Sequence, residues 1–562
     1  MSKKIIVIGG SAAGAKAAAK AKRLDESAEI TIIQKSPDLS MASCGFPYYV
    51  GGVFDQRNQL LSTPVGVVRD AVYFKNAKNL TALVETEALA IHRDRKTVTC
   101  RNLVTGEQQD LAYDKLVIAT GATANRPPIP GSDLSGISTL VSMADTDYLR
   151  AIRDEQKVRR AVVIGGGLIG VEVCEALQNS NIEVTVVEAV DQVLTFLDWE
   201  LAQLVQNHMR SKGVQVITGK GVKEFLGENG KLTGVRLADD TVLDCGLAVM
   251  AIGVRPNSAL AKEAGLNIGS FGGIEVNAFM QTSDADIYAA GDCVEIPQLL
   301  TGRSTFAPMG DLANLEGRVA GENAILGNTV TFPGTINTGI CKVFDYTAGS
   351  TGLSEKAAIK AGIEPTTVIC ANPDKPGFMG GKILISKMVV DRDQRIIGYQ
   401  CVGLGDVSRQ IATAAMAIQG KMKVEDVINA DLPYAPPFSP AIDHFITTAH
   451  IMQNKLKGRM TGISAREVWA KVENGETPFF LDNRNPNEYE EMHLGIGERL
   501  IPIGMLRGRL DELPADKNAE IICFCKISMR GYEANCVLRA HGYTNVKVME
   551  GGVMAWPYPR KK

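Results

Sequence analysis

A single cysteine, Cys44, lies in the segment SMASCGFPYY (residues 40–49), between small residues and an aromatic run. Five positions later the chain has Tyr49, so that position offers no second cysteine. Pro47 is typical of the first turn of a helix, and a helix N-terminus favours a thiolate. We therefore predict that Cys44 is a reactive thiol rather than an inert buried one.

A glycine turn near the N-terminus could hold a nucleotide. The stretch KKIIVIGGSAAGAKAAAKAKRL reads as an apolar strand, a turn with Gly9, Gly10 and Gly14, and an alanine-rich helix. Such a turn places a pyrophosphate at a helix N-terminus. Ser11 replaces the middle glycine of the usual motif, and the second strand, EITIIQ, ends in Gln34 instead of an acid. Both departures weaken the match.

A second glycine turn follows the pattern more closely. The stretch RRAVVIGGGLIGVEVCEAL carries Gly165, Gly167 and Gly170, and the next strand, IEVTVVE, ends in Glu188. An acidic side chain there accepts hydrogen bonds from a ribose 2′-hydroxyl and repels a 2′-phosphate. The sequence therefore predicts a second dinucleotide site that prefers NADH to NADPH.

Two further segments point to a flavin. YDKLVIATGATANRPPIPG is a buried strand ending in Thr120 and Gly121, and QTSDADIYAAGDCVE has Asp292 after a strand of small residues. They resemble the second and third flavin motifs of the two-dinucleotide-fold flavoprotein disulfide reductases. The resemblance implies FAD, with Asp292 bonding its ribityl chain. By spacing alone, Asp292 would also suit a helix N-cap.

The resemblance narrows to the coenzyme A disulfide reductase branch of that family, which includes NADH oxidases, NADH peroxidases and persulfide reductases. Its motifs are LSMASCGFPYYVGG, AIGVRPN, YAAGD and LPYAPPFSPAID, in this order. The family implies an α/β fold with two Rossmann-like domains and an α+β dimerisation domain. The implied boundaries are an FAD domain over 1–145 and 247–328, an NADH domain over 146–246 and a dimerisation domain over 329–450.

The same resemblance implies a coenzyme A site and a homodimer. The residues that match the family's coenzyme A ligands are Lys20, Arg23, Ser40 and Ser43, and Tyr434 is expected to reach in from the partner subunit. Two departures affect the acceptor: Ser43 replaces the usual asparagine, and Asp374-Lys375 replaces a pair of tyrosines. One tyrosine ligand is therefore expected to be missing.

The chain continues beyond the reductase. After a linker expected at 451–460, residues 461–562 resemble a rhodanese domain with an α/β fold. The matching residues are Asp482, Arg484, the Gly551-Gly552 pair and Trp556, while Asn483 and Met492 depart from the usual valine and glycine.

The aligned active-site loop of that domain runs from Cys525 to Arg530. A short turn leading into a helix points backbone N–H groups at the Cys525 sulfur, and Lys526 and Arg530 add positive charge, so a thiolate or persulfide is stabilised. Cys523, two positions earlier on the strand, is expected to pack into the core. A structural cysteine and a degenerate domain that only binds remain the alternatives.

Composition limits the setting. The net charge is −3 and the pI about 6.2, which gives no reason to expect nucleic acid or an anionic membrane as partner. Eleven cysteines without framework spacing indicate reduced thiols in a cytoplasm. The six histidines show no ligand spacing, so we expect no metal. No apolar stretch approaches the ~20 residues of a membrane span.

Together these observations predict an FAD-dependent, NADH-oxidising reductase. Its substrate would be coenzyme A disulfide, a coenzyme A persulfide or a polysulfide held at Cys44, and Cys525 would transfer sulfane sulfur. Bound coenzyme A, with an arm of about 20 Å, could carry sulfur between the two thiols. The alternatives are an NADH oxidase or peroxidase that cycles through a cysteine sulfenic acid, and a redox-responsive sulfur carrier.

Overall fold

Helices follow directly after both glycine turns of the sequence, and others lie along the rest of the chain. The computed structural model describes residues 2–561. Its α-helices are α1 (Ala12–Leu24), α2 (Phe46–Val50), α3 (Ala71–Lys78), α4 (Met143–Glu155), α5 (Leu168–Gln178), α6 (Trp199–Ser211), α7 (Ala259–Glu263), α8 (Gly310–Leu326), α9 (Glu355–Lys360), α10 (Val407–Gln419), α11 (Val424–Val427), α12 (His444–Leu456), α13 (Ala465–Glu473), α14 (Pro486–Glu491) and α15 (Met529–Ala540).

The central strands of the parallel sheets, such as KIIVI and RAVVI, coincide with apolar runs. The strands are β1 (Lys4–Ile8), β2 (Glu29–Ile33), β3 (Thr81–Leu83), β4 (Thr86–His92), β5 (Thr97–Asn102), β6 (Gln108–Ala112), β7 (Lys115–Ile118), β8 (Ala122–Ala124), β9 (Ile137–Ser138), β10 (Arg160–Ile164), β11 (Glu183–Glu188), β12 (Gln215–Thr218), β13 (Val222–Glu228), β14 (Lys231–Leu237), β15 (Val242–Asp244), β16 (Leu247–Met250), β17 (Val254–Pro256), β18 (Ile274–Glu275), β19 (Ile287–Ala289), β20 (Val294–Pro297), β21 (Ser304–Thr305), β22 (Gly339–Val343), β23 (Tyr346–Gly352), β24 (Thr366–Pro373), β25 (Ile383–Val390), β26 (Ile396–Gly403), β27 (Gly462–Ile463), β28 (Phe479–Asp482), β29 (Arg499–Leu500), β30 (Ile521–Phe524) and β31 (Val546–Met549).

The chain divides into two units, Met1–Val190 with Ile217–Thr335, and Asp191–Val216 with Ile336–Lys562. In the first unit a parallel sheet has the order β19-β7-β1-β2-β3. Its central strand, KIIVI, is buried after its first residue, as expected for a parallel strand covered on both faces. This is the predicted flavin-type nucleotide fold, split in sequence between the two ends of the unit.

Two helices from the two parts of this fold pack backbone against backbone. A Cβ at Gly317 of α8 would lie 2.4 Å from the Ala13 carbonyl oxygen of α1, and one at Gly321 would lie 2.3 Å from the Ala17 carbonyl oxygen. Only glycine permits so close an approach. The contact joins residues about 300 positions apart in the chain, as the positions of α1 and α8 require.

The second nucleotide fold has the sheet order β12-β11-β10-β16-β9. Strands β16 and β9 belong to this sheet because β10 pairs in parallel with β16, and β16 with β9. The predicted domain boundaries at 146 and 247 therefore differ from the structure: residues 137–138 and 247–250 lie in the NADH-type sheet. The strand pairing was not visible in the spacing of the motifs.

The second unit contains two further sheets. An antiparallel sheet has the order β22-β23-β26-β25-β24, and a parallel sheet has the order β27-β31-β30-β28-β29. Helix α12 extends to Leu456, so the first part of the predicted linker 451–460 is helical. Met452, in the last turns of α12, is buried, so core packing extends the helix into the predicted linker.

Within residues 2–561, no helix combines the length and the apolar character that crossing a bilayer would require. The same residues hold no group of three or more histidine, cysteine or acidic side chains arranged to bind a metal ion.

Candidate functional site

Cys44 lies on the exposed surface of the first unit, in a 3₁₀ turn (Ser43–Gly45) that leads into α2. Pro47 occupies the first turn of α2, as predicted. The thiol is close to the first residue of α8, since a Cβ at Gly310 would lie 3.3 Å from the Cys44 Sγ. Because Gly310 has no side chain, it leaves room for the Cys44 sulfur at the start of α8.

The electrostatic environment of Cys44 differs from our prediction. Although Cys44 has solvent-exposed surface, neighbouring atoms partly desolvate its thiol and raise its pKa, and the carboxyl groups of Glu172, Asp292 and Asp311 raise it further. The predicted thiolate at a helix N-terminus is therefore wrong for the groups that the chain supplies. Helix α2 has five residues, so its dipole is small beside three carboxylates. Glu172 is itself half-buried, and burial raises its pKa to about 7.

The first glycine turn has the geometry of a pyrophosphate cradle. A Cβ at Gly14 would lie 1.8 Å from the Gly9 carbonyl oxygen, so the helix starts directly against the turn. The Gly10 N–H donates to Gln34 Oε1 (2.7 Å), and Gln34 Nε2 donates to the Asp38 carbonyl oxygen (3.1 Å). The glutamine that replaces an acid thus fixes the turn from the end of β2.

The other two predicted flavin segments meet beside this turn. A Cβ at Gly9 would lie 2.0 Å from the carbonyl oxygen of Ala119, the residue before Thr120. Gly121 has a φ of +68°, and the Thr120 hydroxyl donates to the Asn257 carbonyl oxygen (2.6 Å). A Cβ at Gly291, beside Asp292, would lie 2.8 Å from Ala13 Cβ of α1, so the three segments form one site, although only chain order linked them in the sequence.

Asp292 has the properties of an unused ligand. Burial raises its pKa to about 6, and within residues 2–561 no side chain or backbone group donates a hydrogen bond to it. A half-buried carboxylate without a donor is unfavourable unless a ligand supplies one. The residues present therefore fit FAD, whose ribityl hydroxyls are donors of this kind.

The second glycine turn repeats the first. A Cβ at Gly170 would lie 2.0 Å from the Gly165 carbonyl oxygen, while one at Gly167 would meet nothing within 4 Å. The Gly166 N–H donates to Glu188 Oε2 (2.6 Å), as the Gly10 N–H does to Gln34. The open space at Gly167, the N-cap of α5, leaves the helix N-terminus accessible to a pyrophosphate.

A cavity of about 370 Å³ opens between α1, α3 and the segment before Cys44. Arg23 and Ser40, two of the residues predicted to bind coenzyme A, line it together with three cations that sequence reasoning missed: Lys16, Arg69 and Lys78. Its lining contains no acidic residue. These cations come from separate segments, and no spacing rule links them; the cavity suits a polyanionic ligand.

Two of the other predicted coenzyme A residues lie outside this lining. Lys20 Nζ forms an ion pair with Glu322 of α8 (2.8 Å). Ser43 is exposed in the turn of Cys44.

In the second unit, Tyr434 is exposed (54%) in the loop before α12. Arg409 of α10 holds this loop, because its guanidinium donates to the Phe438 carbonyl oxygen (2.8 Å). Asp374 is buried and accepts from the Lys382 N–H (2.8 Å) and the Asp406 N–H (3.1 Å). The residue that replaces a tyrosine thus fixes its own loop to the start of α10, the helix that also holds the Tyr434 loop.

Cys525 follows β30 and is fully buried at the start of a loop that leads into α15. Ser528 adopts a left-handed conformation (φ +67°) and its hydroxyl donates to the Met549 carbonyl oxygen. A Cβ at Gly552 would lie 2.3 Å from the Cys525 carbonyl oxygen, so this glycine is required. Cys523 lies in the hydrophobic core, as expected.

Arg530 is not free beside Cys525. Its guanidinium donates to both carboxylate oxygens of Glu488 (2.6 and 2.8 Å), and the pair lowers the pKa of Glu488 to about 2. Arg530 also interacts with the Cys525 sulfur. Arg484 is buried against Asp482 (2.7 Å) and donates to the Glu488 carbonyl oxygen (3.0 Å). The residues predicted from the rhodanese resemblance therefore support the loop through Glu488, which the sequence did not suggest.

Comparisons with known proteins show the family to which the chain belongs. The family model described as pyridine nucleotide-disulphide oxidoreductase matches residues 3–305, its dimerisation domain matches residues 338–446, and a rhodanese-like domain matches residues 464–557. The chain belongs to the pyridine nucleotide-disulphide oxidoreductase family. It is an α/β oxidoreductase of the FAD- and NADH-dependent type with a C-terminal rhodanese domain, which confirms the predicted fold class and enzyme class.

The relatives include sulfur reductases and NADH oxidases. The solved structure of a NAD-dependent persulfide reductase from A. fulgidus is 42% identical, with a TM-score of 0.94, and covers 98% of this chain and 100% of that chain. The NAD(P)H coenzyme A polysulfide/persulfide reductase of Pyrococcus horikoshii is 33% identical over 81% of this chain and 99% of its own. An NADH oxidase of Methanocaldococcus jannaschii is 32% identical over the same shares.

A substitution in one glycine turn should impair one nucleotide site and leave the other intact. Gly14→Ala places a Cβ 1.8 Å from the Gly9 carbonyl oxygen, so we expect a protein that purifies without FAD. Gly170→Ala makes the equivalent clash with Gly165 and should retain FAD but lose flavin reduction by NADH. Flavin absorbance of the purified proteins and stopped-flow bleaching measure both. A Gly14→Ala protein with a full complement of FAD would contradict the assignment.

The carboxyl groups around Cys44 should affect the pH dependence of its reactivity. Because the Glu172 carboxylate raises the pKa of Cys44, Glu172→Gln should lower that pKa, so alkylation of Cys44 by iodoacetamide should become faster at neutral pH. The rate is followed against pH by peptide mass spectrometry. Glu155→Gln, at an exposed residue of α4, is the control and should leave the profile unchanged. Superimposable profiles for Glu172→Gln and the parent would refute the electrostatic account.

Proposed function

We propose that the protein uses NADH to reduce a sulfur–sulfur bond at Cys44 in coenzyme A disulfide, a coenzyme A persulfide or a polysulfide. The proposal rests above all on the position of a lone thiol: it lies two residues beyond Ala42, which lines a cationic cavity without acids, and beside the flavin-type site. A polyanion with a terminal sulfur fits this arrangement. The relatives named as persulfide reductases support the same substrate class.

The residues divide the work between cofactors and substrate. Gly9, Gly10 and Gly14 with Gln34 hold the FAD pyrophosphate, while Thr120, Gly121 and Asp292 complete the flavin site. Gly165, Gly167, Gly170 and Glu188 hold NADH. The flavin, when bound, accepts a hydride equivalent from NADH and supplies an electron pair for the cleavage of a sulfur–sulfur bond.

The cavity supplies the contacts for coenzyme A. Lys16, Arg23, Arg69 and Lys78 are cations without an acidic partner within residues 2–561, so they are available to phosphate groups. Ser40 offers a hydroxyl at the same cavity. In a homodimer, which the dimerisation domain supports, Tyr434 of one subunit would reach the Cys44 site of the other.

The rhodanese domain handles sulfane sulfur. The Cys525 thiolate attacks the outer sulfur of a donor such as thiosulfate, the donor's sulfur–sulfur bond breaks, and sulfite leaves with the bonding electron pair. A coenzyme A thiolate then takes the sulfur from Cys525 as a persulfide and restores the Cys525 thiolate. At Cys44 the persulfide is reduced with the electron pair from NADH, which releases sulfide and coenzyme A.

An NADH oxidase or peroxidase is the second candidate, because a relative of that name is 32% identical. Oxygen and peroxide need neither the cationic cavity nor the Cys525 loop, and both features are present in this chain. A redox-responsive sulfur carrier would need no turnover with any acceptor. An acceptor panel of coenzyme A disulfide, coenzyme A persulfide, peroxide and oxygen distinguishes the three.

Replacing Cys44 tests the redox thiol. Cys44→Ser should keep FAD and its reduction by NADH, because the nucleotide sites use other residues, and should lose reduction of coenzyme A persulfide. Steady-state NADH oxidation and sulfide release measure this, with the exposed cysteine variant Cys536→Ser as the control. Near-parent sulfide release by Cys44→Ser would show that another thiol reacts.

Replacing Cys525 separates the two thiols. Cys525→Ala should abolish sulfide release from thiosulfate with coenzyme A and NADH, while reduction of a preformed coenzyme A persulfide survives. Loss of both reactions would mean one obligatory relay. If neither changes, the rhodanese domain is only a binding module in this protein.

Glu188 should set the nicotinamide preference. Its carboxylate accepts from the Gly166 N–H and the Val190 N–H and retains lone pairs for a ribose 2′-hydroxyl. Glu188→Gln removes the repulsion of a 2′-phosphate, so the ratio of kcat/KM for NADH over NADPH should fall. A parent protein that already prefers NADPH would overturn this assignment.

A further inference from the structure

Glu550 lies between the rhodanese domain and the dimerisation domain, within the second unit. Its side chain is 5% exposed. Glu550 Oε2 accepts from the Ile369 N–H of β24 (2.9 Å), and Glu550 Oε1 accepts from Lys455 Nζ of α12 (2.7 Å). Ile369 belongs to the dimerisation domain and Lys455 to the helix that leads out of it, so both donors to this nearly buried carboxylate lie outside the rhodanese domain.

The residues on both sides of Glu550 hold the Cys525 loop. On one side, the Met549 carbonyl oxygen accepts from the Ser528 hydroxyl. On the other side, the Val553 N–H donates to the Cys525 carbonyl oxygen (3.0 Å) and the Met554 N–H donates to the Lys526 carbonyl oxygen (3.0 Å). The segment 549–554 is therefore the support of the loop, and Glu550 lies inside it.

The dimerisation domain also contacts this support directly. Strand β24 is at the edge of its sheet, and an exposed edge leaves backbone groups unpaired. Glu550 accepts from one such group, and a Cβ at Gly551 would lie 2.9 Å from Ile369 Cγ2. Lys455 Nζ donates in addition to the Thr367 carbonyl oxygen of β24 (2.7 Å). The strand edge thus fixes Glu550 and Gly551 together.

We propose that Glu550 is a positioning residue for sulfur transfer: it fastens the support of the Cys525 loop to the dimerisation domain. The reductase part of the chain thereby sets the geometry of the sulfur-transfer loop. This inference rests on the proposed function of Cys525. Within residues 2–561, no hydrogen bond or ion pair joins Glu550 to the Cys525 sulfur, so its effect reaches Cys525 through residues 549–554.

The test uses the full-length FAD-containing protein and the thiosulfate:cyanide reaction. The Cys525 thiolate takes the outer sulfur of thiosulfate with release of sulfite, and cyanide then removes that sulfur as thiocyanate. A displaced loop slows the transfer without removing the donor site, and misplacement by about 1 Å can slow catalysis on the order of a hundredfold. We expect Glu550→Ala to lower kcat by about tenfold or more, with KM for thiosulfate little changed.

Two variants separate positioning from docking in general. Glu550→Gln keeps an oxygen acceptor for the Ile369 N–H and should recover most of the lost kcat. Arg466→Gln removes a different contact that the rhodanese domain makes within the second unit: the Arg466 guanidinium lies 4.9 Å from the centre of the Trp199 ring of α6, and this contact has no bond to the 549–554 segment. It should leave kcat unchanged. NADH-driven reduction of preformed coenzyme A persulfide should be unchanged in all three, which verifies that the reductase part is folded, and equal thermal unfolding profiles verify the fold of the whole chain.

Three outcomes overturn the inference. Parent kcat in Glu550→Ala shows that the loop does not depend on this residue. If Glu550→Ala and Arg466→Gln lose the same fraction of kcat, the transfer depends on domain docking as a whole. If Glu550→Ala and Glu550→Gln lose the same fraction of kcat, the transfer does not depend on the hydrogen bond to the Ile369 N–H. A parent protein that forms no thiocyanate removes the proposed role of Cys525, and this inference with it; thiocyanate formation by the parent keeps the two failures distinct.

Discussion

The close packing of α1 against α8 is the constraint on which the reductase site depends. Gly317 and Gly321 let the backbones approach to distances that any side chain would prevent. This contact closes a nucleotide fold whose two parts are separated by the second nucleotide fold. It also brings the start of α8 to Cys44 and turns another part of α1, with Lys16 and Arg23, toward the cationic cavity. Lys20 pairs with Glu322 and thereby stabilises the helix contact instead of the cavity.

The same packing separates two kinds of charge. Carboxyl groups face the thiol: Glu172, Asp292 and Asp311 each raise the pKa of Cys44. The charged residues that line the cavity are all cations. A ligand with phosphates at one end and sulfur at the other is therefore favoured in one orientation, with its phosphates in the cavity and its sulfur toward Cys44. The acids also disfavour additional negative charge at the thiol, so this environment selects against a ligand that enters with its anionic end first.

Local patterns predicted the elements that one segment can specify. A few consecutive residues specify each glycine turn, the end of each following strand and the Cys525 loop. The geometry of these segments depends on a backbone conformation that only certain residue types adopt. The sequence also identified Arg23 and Ser40 at the cavity through a family resemblance. These positions needed no knowledge of distant contacts.

The rest depends on contacts between distant segments. Lys16, Arg69 and Lys78 share a cavity only because α1 and α3 pack near each other. Glu488 pairs with Arg530 across 42 positions of the chain, and nothing in the spacing distinguishes it from its acidic neighbours. Strand β16 joins the NADH-type sheet through pairing with β10. The pKa of Cys44 was predicted in the wrong direction because the short helix is local, whereas the acids come from three other elements.

The attachment of the rhodanese domain limits how sulfur can leave Cys525. The segment after α12 is short, and its carbonyl groups are held: Arg539 of α15 donates to the Gly458 and Arg459 carbonyl oxygens (3.0 and 2.9 Å). Helix α15 begins directly after the Cys525 loop, so the segment that connects the domains is fastened to the helix that follows the thiol. Cys525 is fully buried, and in the part of the chain that the structure describes no long flexible linker precedes its domain. A small diffusible or arm-like thiol can reach into such a loop where a second protein surface cannot, so the fixed attachment itself favours a carrier molecule over direct contact between two protein thiols.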